Sequence, residues 1–96
     1  MALRNRISKI AIIGPGTMGC GIGYVALRSG CEVVFIARSQ KSIETGSRRL
    51  KRMITSAVKS GELSDAEAKK ILGNLKFTLD LDSIQPCQLI IEAITE

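Results

Sequence analysis

An apolar run, Ile10-Ala11-Ile12-Ile13, drives straight into Gly14-x-Gly16-x-x-Gly19, and a helix-compatible segment follows. No other feature of the chain constrains its fold as tightly. A strand must turn abruptly into a helix here, and each glycine answers a separate steric demand. Gly14 allows the tight turn out of the strand. Gly16 carries no Cβ, so a pyrophosphate can approach the backbone. Gly19 lets the helix pack closely on the sheet. The start of the helix then presents unpaired N–H groups and the positive end of its dipole to the phosphates. The triplet alone is weak. The strand before it, the helix after it and a second apolar strand about a dozen residues on supply the context a dinucleotide site requires.

Downstream the pattern alternates. A first strand is expected over Lys9–Ile13 and a helix over Thr17–Arg28, ended by Gly30. Met18, Ile22, Val25 and Ala26 recur at helical spacing and are expected to form its buried stripe. Gly21 and Gly23 interrupt that helix at up to about 1 kcal/mol each against Ala, which points to close packing rather than helix strength. Glu32–Ile36 reads as a second strand without polar alternation, covered on both faces. A long helix follows over Gln40–Ser60, with Ile43, Ser47, Leu50, Ile54, Ala57 and Val58 along one face, and Gly61 closes it. Ser64-Asp65-Ala66-Glu67 is a capping box that opens another helix over Asp65–Leu72, ending at Gly73. The two helices make a hairpin. A third strand over Lys76–Leu79, a helical turn over Asp80–Gln85 stopped by Pro86, and a fourth strand over Leu89–Ile94 complete the order.

Such alternation implies an α/β fold with a parallel sheet and right-handed crossovers, doubly wound in the Rossmann manner. That architecture has two halves and six strands. Four strands are legible, so residues 1–96 read as the N-terminal portion of a dinucleotide-binding domain, with the helical hairpin inserted between strands two and three.

Bulk properties narrow the function. The chain is 45% apolar and 24% charged, as soluble globular chains are. No apolar run approaches the roughly 20 residues that span a bilayer. Met1-Ala2-Leu3-Arg4-Asn5-Arg6 offers no apolar core for a secretory signal, so a cytoplasmic location and no membrane partner are expected. Cys20, Cys31 and Cys87 are odd in number and lack C-x-x-C spacing, which argues against a disulfide framework and a zinc site. Cys20 is expected to be a small packed side chain. The net charge of +5 concentrates in Arg48, Arg49, Lys51, Arg52 and Lys59 on the long helix, either a solvated face or a polyphosphate site. Tyr24, Phe35 and Phe77 do not interleave with these cations, so no nucleic-acid partner is expected.

Ile13-Gly14-Pro15-Gly16-Thr17-Met18-Gly19-Cys20-Gly21-Ile22 resembles the N-terminal signature of the 3-hydroxyacyl-CoA dehydrogenases. So do the spacing to Gly30-x-x-Val33-Val34, the hairpin tip Ser60-Gly61-Glu62-Leu63-Ser64, the Asp80-Leu81-Asp82 segment, and Ile91-Glu92-Ala93-Ile94-x-Glu96. The resemblance covers essentially the whole chain. It implies the cofactor-binding part of an oxidoreductase of fatty-acid or acyl-CoA metabolism, which oxidises L-3-hydroxyacyl-CoA to 3-ketoacyl-CoA and passes a hydride to NAD. It implies cofactor contacts at Gly14, Pro15, Gly16, Thr17, Met18 and Gly19, and again at Ala93 and Glu96 after the fourth strand. An acyl-CoA substrate is implied, with the hairpin helping to hold its CoA portion. A homo-oligomer is expected.

Two departures from that family matter. Its acidic residue at the end of the second strand, which holds the adenine ribose 2′-hydroxyl, falls at Ala37. Ala37-Arg38-Ser39-Gln40-Lys41 offers two cations and a hydroxyl but no carboxylate, a pattern that resembles NADP-type dehydrogenases. Ala37 and Arg38 are therefore read as cofactor contacts, and NADP stands beside NAD. The plain alternative makes Arg38 an exposed turn residue. Secondly, the chain contains no histidine, although oxidising an alcohol by hydride transfer needs a base poised near neutral pH. The family's catalytic His–Glu pair falls beyond the segment matched here, so no catalytic residue is assigned. Glu92 is given a structural role on a buried strand. Two other readings stay open: a dehydrogenase of another 3-hydroxy acid, such as a sugar acid or 3-hydroxyisobutyrate, and a non-catalytic nucleotide-binding module. Leaving Leu89-Ile90-Ile91 at a sheet edge is expected to drive self-association.

Overall fold

Apolar runs without polar alternation extend into strands buried on both faces. The chain has two, Lys9–Ile13 (β1) and Glu32–Ile36 (β2), and they pair in parallel at the centre of the sheet. The computed structural model describes residues 7–93. Thr17–Arg28 (α1) joins β1 to β2. Gln40–Lys59 (α2) and Asp65–Gly73 (α3) lead from β2 to Leu75–Thr78 (β3), and a 3-10 turn at Leu81–Ile84 precedes Leu89–Glu92 (β4). The sheet order is β3-β2-β1-β4, all parallel.

This order positions the site. The chain moves outward from β1 through β2 to β3, then returns to the far side of β1. Its direction reverses between β1 and β4, where open α/β sheets take their ligands. Ile13 stands in register with Ile36 on one side and Glu92 on the other. Gly14, Ala37 and Ala93 therefore leave the sheet side by side at its carboxyl edge.

α1 and α2 cover one face. Ile12, Leu27, Val33, Phe35 and Leu50 are almost wholly buried beneath them. The Phe35 and Phe77 rings stack there at 5.0 Å between centroids. Ala11, Val34 and Ile36 form the opposite face, under Ile84 of the 3-10 turn and Cys87 after it. Gly30 and Gly61 adopt positive φ after α1 and α2, as their helix-closing positions require.

Several expectations need correction. α1 does not bury Met18 and Val25, which are 58% and 65% exposed. Its buried face is Gly19, Cys20, Gly23, Ala26 and Leu27. The helix lies so near the sheet that small residues face it: a Cβ on Gly23 would run into the Phe35 ring. Gly21 meets open space instead and makes no close approach. Gly73 is the last helical residue of α3 and Asn74 caps it, so no left-handed glycine ends that helix. β3 begins one residue earlier than expected, at Leu75. Glu92 is exposed at the edge strand rather than buried. Ile94 lies outside the described residues.

Candidate functional site

The glycine loop is fixed from three directions. Gly14 adopts φ +102°, which an L side chain rarely tolerates, and its N–H donates to the Ile36 carbonyl at 2.9 Å. The loop is thereby tied to the end of β2. Gly19 lies directly beneath Gly14: a Cβ on Gly19 would collide with the Gly14 carbonyl and meet Ile12 Cγ2 at 3.3 Å. Gly16 is the N-cap of α1 and supplies no capping side chain, and the first turn of α1 carries no acidic residue. The leading N–H groups of α1 consequently need an acceptor from outside the helix. An anion at the loop supplies one.

A second layer holds the loop from below, and sequence reasoning missed most of it. Gly46 of α2 presses against Pro15. A Cβ on Gly46 would stand 2.8 Å from Pro15 Cβ and 3.0 Å from the Pro15 carbonyl oxygen. The Cys20 thiol donates to the Pro15 carbonyl at 3.4 Å and lies 3.7 Å from the Gly46 carbonyl. Burial pushes this thiol up from its ordinary pKa, and Arg49 beside it pulls part of that shift back. Cys20 is thus a packed, protonated strut, as expected from its size.

Above the carboxyl edge opens a cavity of about 430 Å³. Ile13, Gly14, Pro15 and Gly16 line one side, Ile36, Arg38 and Ser39 another, and Ala93 closes the β4 side. α2 contributes Lys41, Ser42, Thr45 and Arg49. Of the residues singled out in the sequence, Gly14, Pro15, Gly16, Arg38 and Ala93 meet around this cavity. Thr17 and Met18 stand exposed on the first turn of α1, and Gly19 is buried beneath the loop. Ala37 is buried between Ile36 and Arg38, its N–H donating to the Thr78 carbonyl at 2.9 Å. Glu96 lies outside the described residues.

Lys41 belongs to the cationic pattern already read after the second strand, whereas sequence reasoning did not place Ser42 and Thr45 at the site. The signal was present: Ser42, Thr45 and Arg49 recur at spacings of three and four, one helical face adjoining the Leu50–Ile54 stripe. Arg49 was read as one of five cations on a single surface. It turns instead into the cavity, while Arg48, Lys51, Arg52 and Lys59 border a separate outward recess. Among the described residues no carboxylate lines the cavity, and the ion pair they form is remote, Lys9 with Glu32 at 3.8 Å.

The arrangement fits a dinucleotide. The loop could receive a pyrophosphate without a Cβ in the way, with the adenosine side toward the cationic end of β2. Comparison with known proteins agrees. The family model described as 3-hydroxyacyl-CoA dehydrogenase, NAD binding domain, matches residues 9–96. A 3-hydroxybutyryl-CoA dehydrogenase of Mycobacterium tuberculosis is 34% identical over 94 residues, covering 98% of this chain and 33% of that protein. A glyoxysomal fatty acid beta-oxidation multifunctional protein of Brassica napus is 36% identical over 92 residues, 96% of this chain and 13% of its own length. The chain thus spans one third or less of these relatives. The crystal structure of M. tuberculosis FadB2 superposes with a TM-score of 0.91 at 35% identity, covering 96% of this chain and 32% of that one. (S)-3-hydroxybutyryl-CoA dehydrogenase of Ralstonia eutropha gives 0.89 at 27% identity, over 95% and 32%. A family model matched over residues 9–96, by a chain whose backbone follows that of FadB2 at a TM-score of 0.91, places the chain in the 3-hydroxyacyl-CoA dehydrogenase family, as part of its NAD-binding domain.

Proposed function

We propose that these residues hold the cofactor of an oxidoreductase that converts an L-3-hydroxyacyl-CoA to the 3-ketoacyl-CoA. The observation that carries this reading is the meeting of Gly14–Gly16, Arg38 and Ala93 around one cavity at the carboxyl edge, above a turn too tight for any Cβ at Gly19. Bound there, the nicotinamide dinucleotide supplies a hydride acceptor. The chain's own part is to bind and orient: α1 offers its uncapped N–H groups to the pyrophosphate, and the β1–β4 crevice directs the far half of the cofactor past Ala93. With no histidine in the sequence, the base that takes the hydroxyl proton comes from a segment equivalent to the remaining two thirds of the relatives. The buried methyl of Ala37 and the neighbouring Arg38 admit NADP as well as NAD.

Gly16→Val tests the cradle. The Gly16 backbone, at φ −81° and ψ −167°, is open to any residue, so the fold should survive. Calorimetric affinity for NAD and NADP should fall by about tenfold or more, ~1.4 kcal/mol; unchanged affinity would contradict the assignment. A protein carrying this chain should reduce the nicotinamide with 3-hydroxybutyryl-CoA and fail with free 3-hydroxybutyrate. Equal turnover of the free acid would transfer the reading to the 3-hydroxy-acid dehydrogenases.

A further inference from the structure

We propose that Arg38, Lys41 and Arg49 form a clamp for the 2′-phosphate of an adenosine nucleotide, so that this cavity selects NADP over NAD. The inference rests on the reading of the glycine loop as a dinucleotide site. A dinucleotide seated with its pyrophosphate on that loop lays its adenosine ribose against the end of β2. Discrimination there is a matter of charge. A carboxylate accepts a hydrogen bond from the free 2′-hydroxyl and repels a 2′-phosphate. The position after Ile36 is Ala37, a buried methyl that does neither.

What surrounds it is attractive to a phosphate. Arg38 lies on the turn, Lys41 on the first turn of α2, and Arg49 two turns further along, and all three line the same cavity. The hydroxyl of Thr45 lies between Lys41 and Arg49 on that wall. Among the described residues no carboxylate competes for these cations at ion-pair distance. Arg49 is half-buried beside Cys20, on the wall of the same cavity. A guanidinium placed there can grip a phosphate bidentately. The outward recess of α2 has comparable charge but lacks the glycine loop that would align a nucleotide beside it.

Calorimetric titration of the full chain with three nucleotides separates the possibilities. Adenosine 2′,5′-bisphosphate should bind at least about tenfold tighter than adenosine 5′-monophosphate. Lys41→Gln/Arg49→Gln should erase that margin, read as the ratio of the two affinities within the variant. Arg38→Gln/Lys41→Gln, at two exposed positions, reads the same loss without touching the core. Lys69→Gln/Lys76→Gln removes equal charge outside the cavity and should preserve the margin. Loss of the margin in that control would reduce the effect to net charge and overturn the clamp. Equal binding of the 2′,5′ compound and the monophosphate overturns the clamp and leaves the dinucleotide reading standing. Preference for adenosine 3′,5′-bisphosphate, the isomer found in coenzyme A, overturns it in favour of a CoA-type nucleotide. A folded chain that binds none of the three overturns both readings.

Discussion

Gly46 weakens α2 by its composition, and only the glycine loop explains why it is there. Glycine inside a helix costs about 1 kcal/mol against alanine. At this place a methyl would press on the Pro15 ring and carbonyl, and the carbonyl is backbone that cannot swing aside. Overpacking of that kind costs about 1–3 kcal/mol, enough to outweigh the gain in helix propensity. Gly46→Ala should therefore lower stability and loosen the nucleotide loop. Gly21→Ala is the matched contrast: the position is helical, faces open space and should gain up to about 1 kcal/mol. Urea midpoints of the two variants should move in opposite directions. A shift of both toward higher stability would mean that α2 does not support the loop.

Among the elements, α3 carries the most explicit sequence signature. The Ser64 hydroxyl accepts from the Glu67 N–H at 3.0 Å, and the Glu67 carboxylate accepts from the Ser64 N–H at 2.8 Å. That backbone bond, followed by the hydroxyl, holds the Glu67 carboxyl below its ordinary pKa. A carboxylate lowered on folding contributes stability in full above its unfolded pKa, and the contribution fades as pH falls through the folded value. Amide protection at the start of α3, taken relative to intrinsic exchange at each pH, should fall on acidification below the ordinary carboxylate range, and Glu67→Gln should flatten that dependence. Ser64→Ala should cost the hairpin about 1 kcal/mol, the usual loss of an N-cap hydroxyl. A pH-independent α3 would remove the carboxylate from its cap. The box was legible because capping is local: three residues and two hydrogen bonds define it. The glycine loop was legible for the same reason. The buried face of α1 was not. Ile22 and Ala26 do pack on the core, but Met18 and Val25 satisfy helical spacing just as well, and the sheet's closeness, set by Phe35, decides for Gly19, Cys20 and Gly23 instead. Nor was the wall of the site formed by Thr45 and Arg49, since it exists only once α2 lies across Pro15.

At the scale of the molecule, the four strands end at β4, whose outer side is unpaired among the described residues. Leu89 and Ile90 are 38% and 46% exposed along it. An apolar edge strand with open backbone groups recruits further strands. Sedimentation at rising concentration should show self-association of the 96-residue chain, and Ile90→Lys should suppress it. A concentration-independent monomer would mean that the edge is covered by other means. At the carboxyl end of β1 the sheet edge, the glycine loop and α2 combine into one nucleotide cradle. Amide correlation spectra recorded during titration with NADP test it most directly. Shifts should concentrate at Gly14, Gly16, Thr17, Met18, Arg38, Lys41 and Ala93. Shifts confined to the outward recess at Arg48, Lys51 and Lys59, with Gly14–Gly19 unmoved, would contradict it.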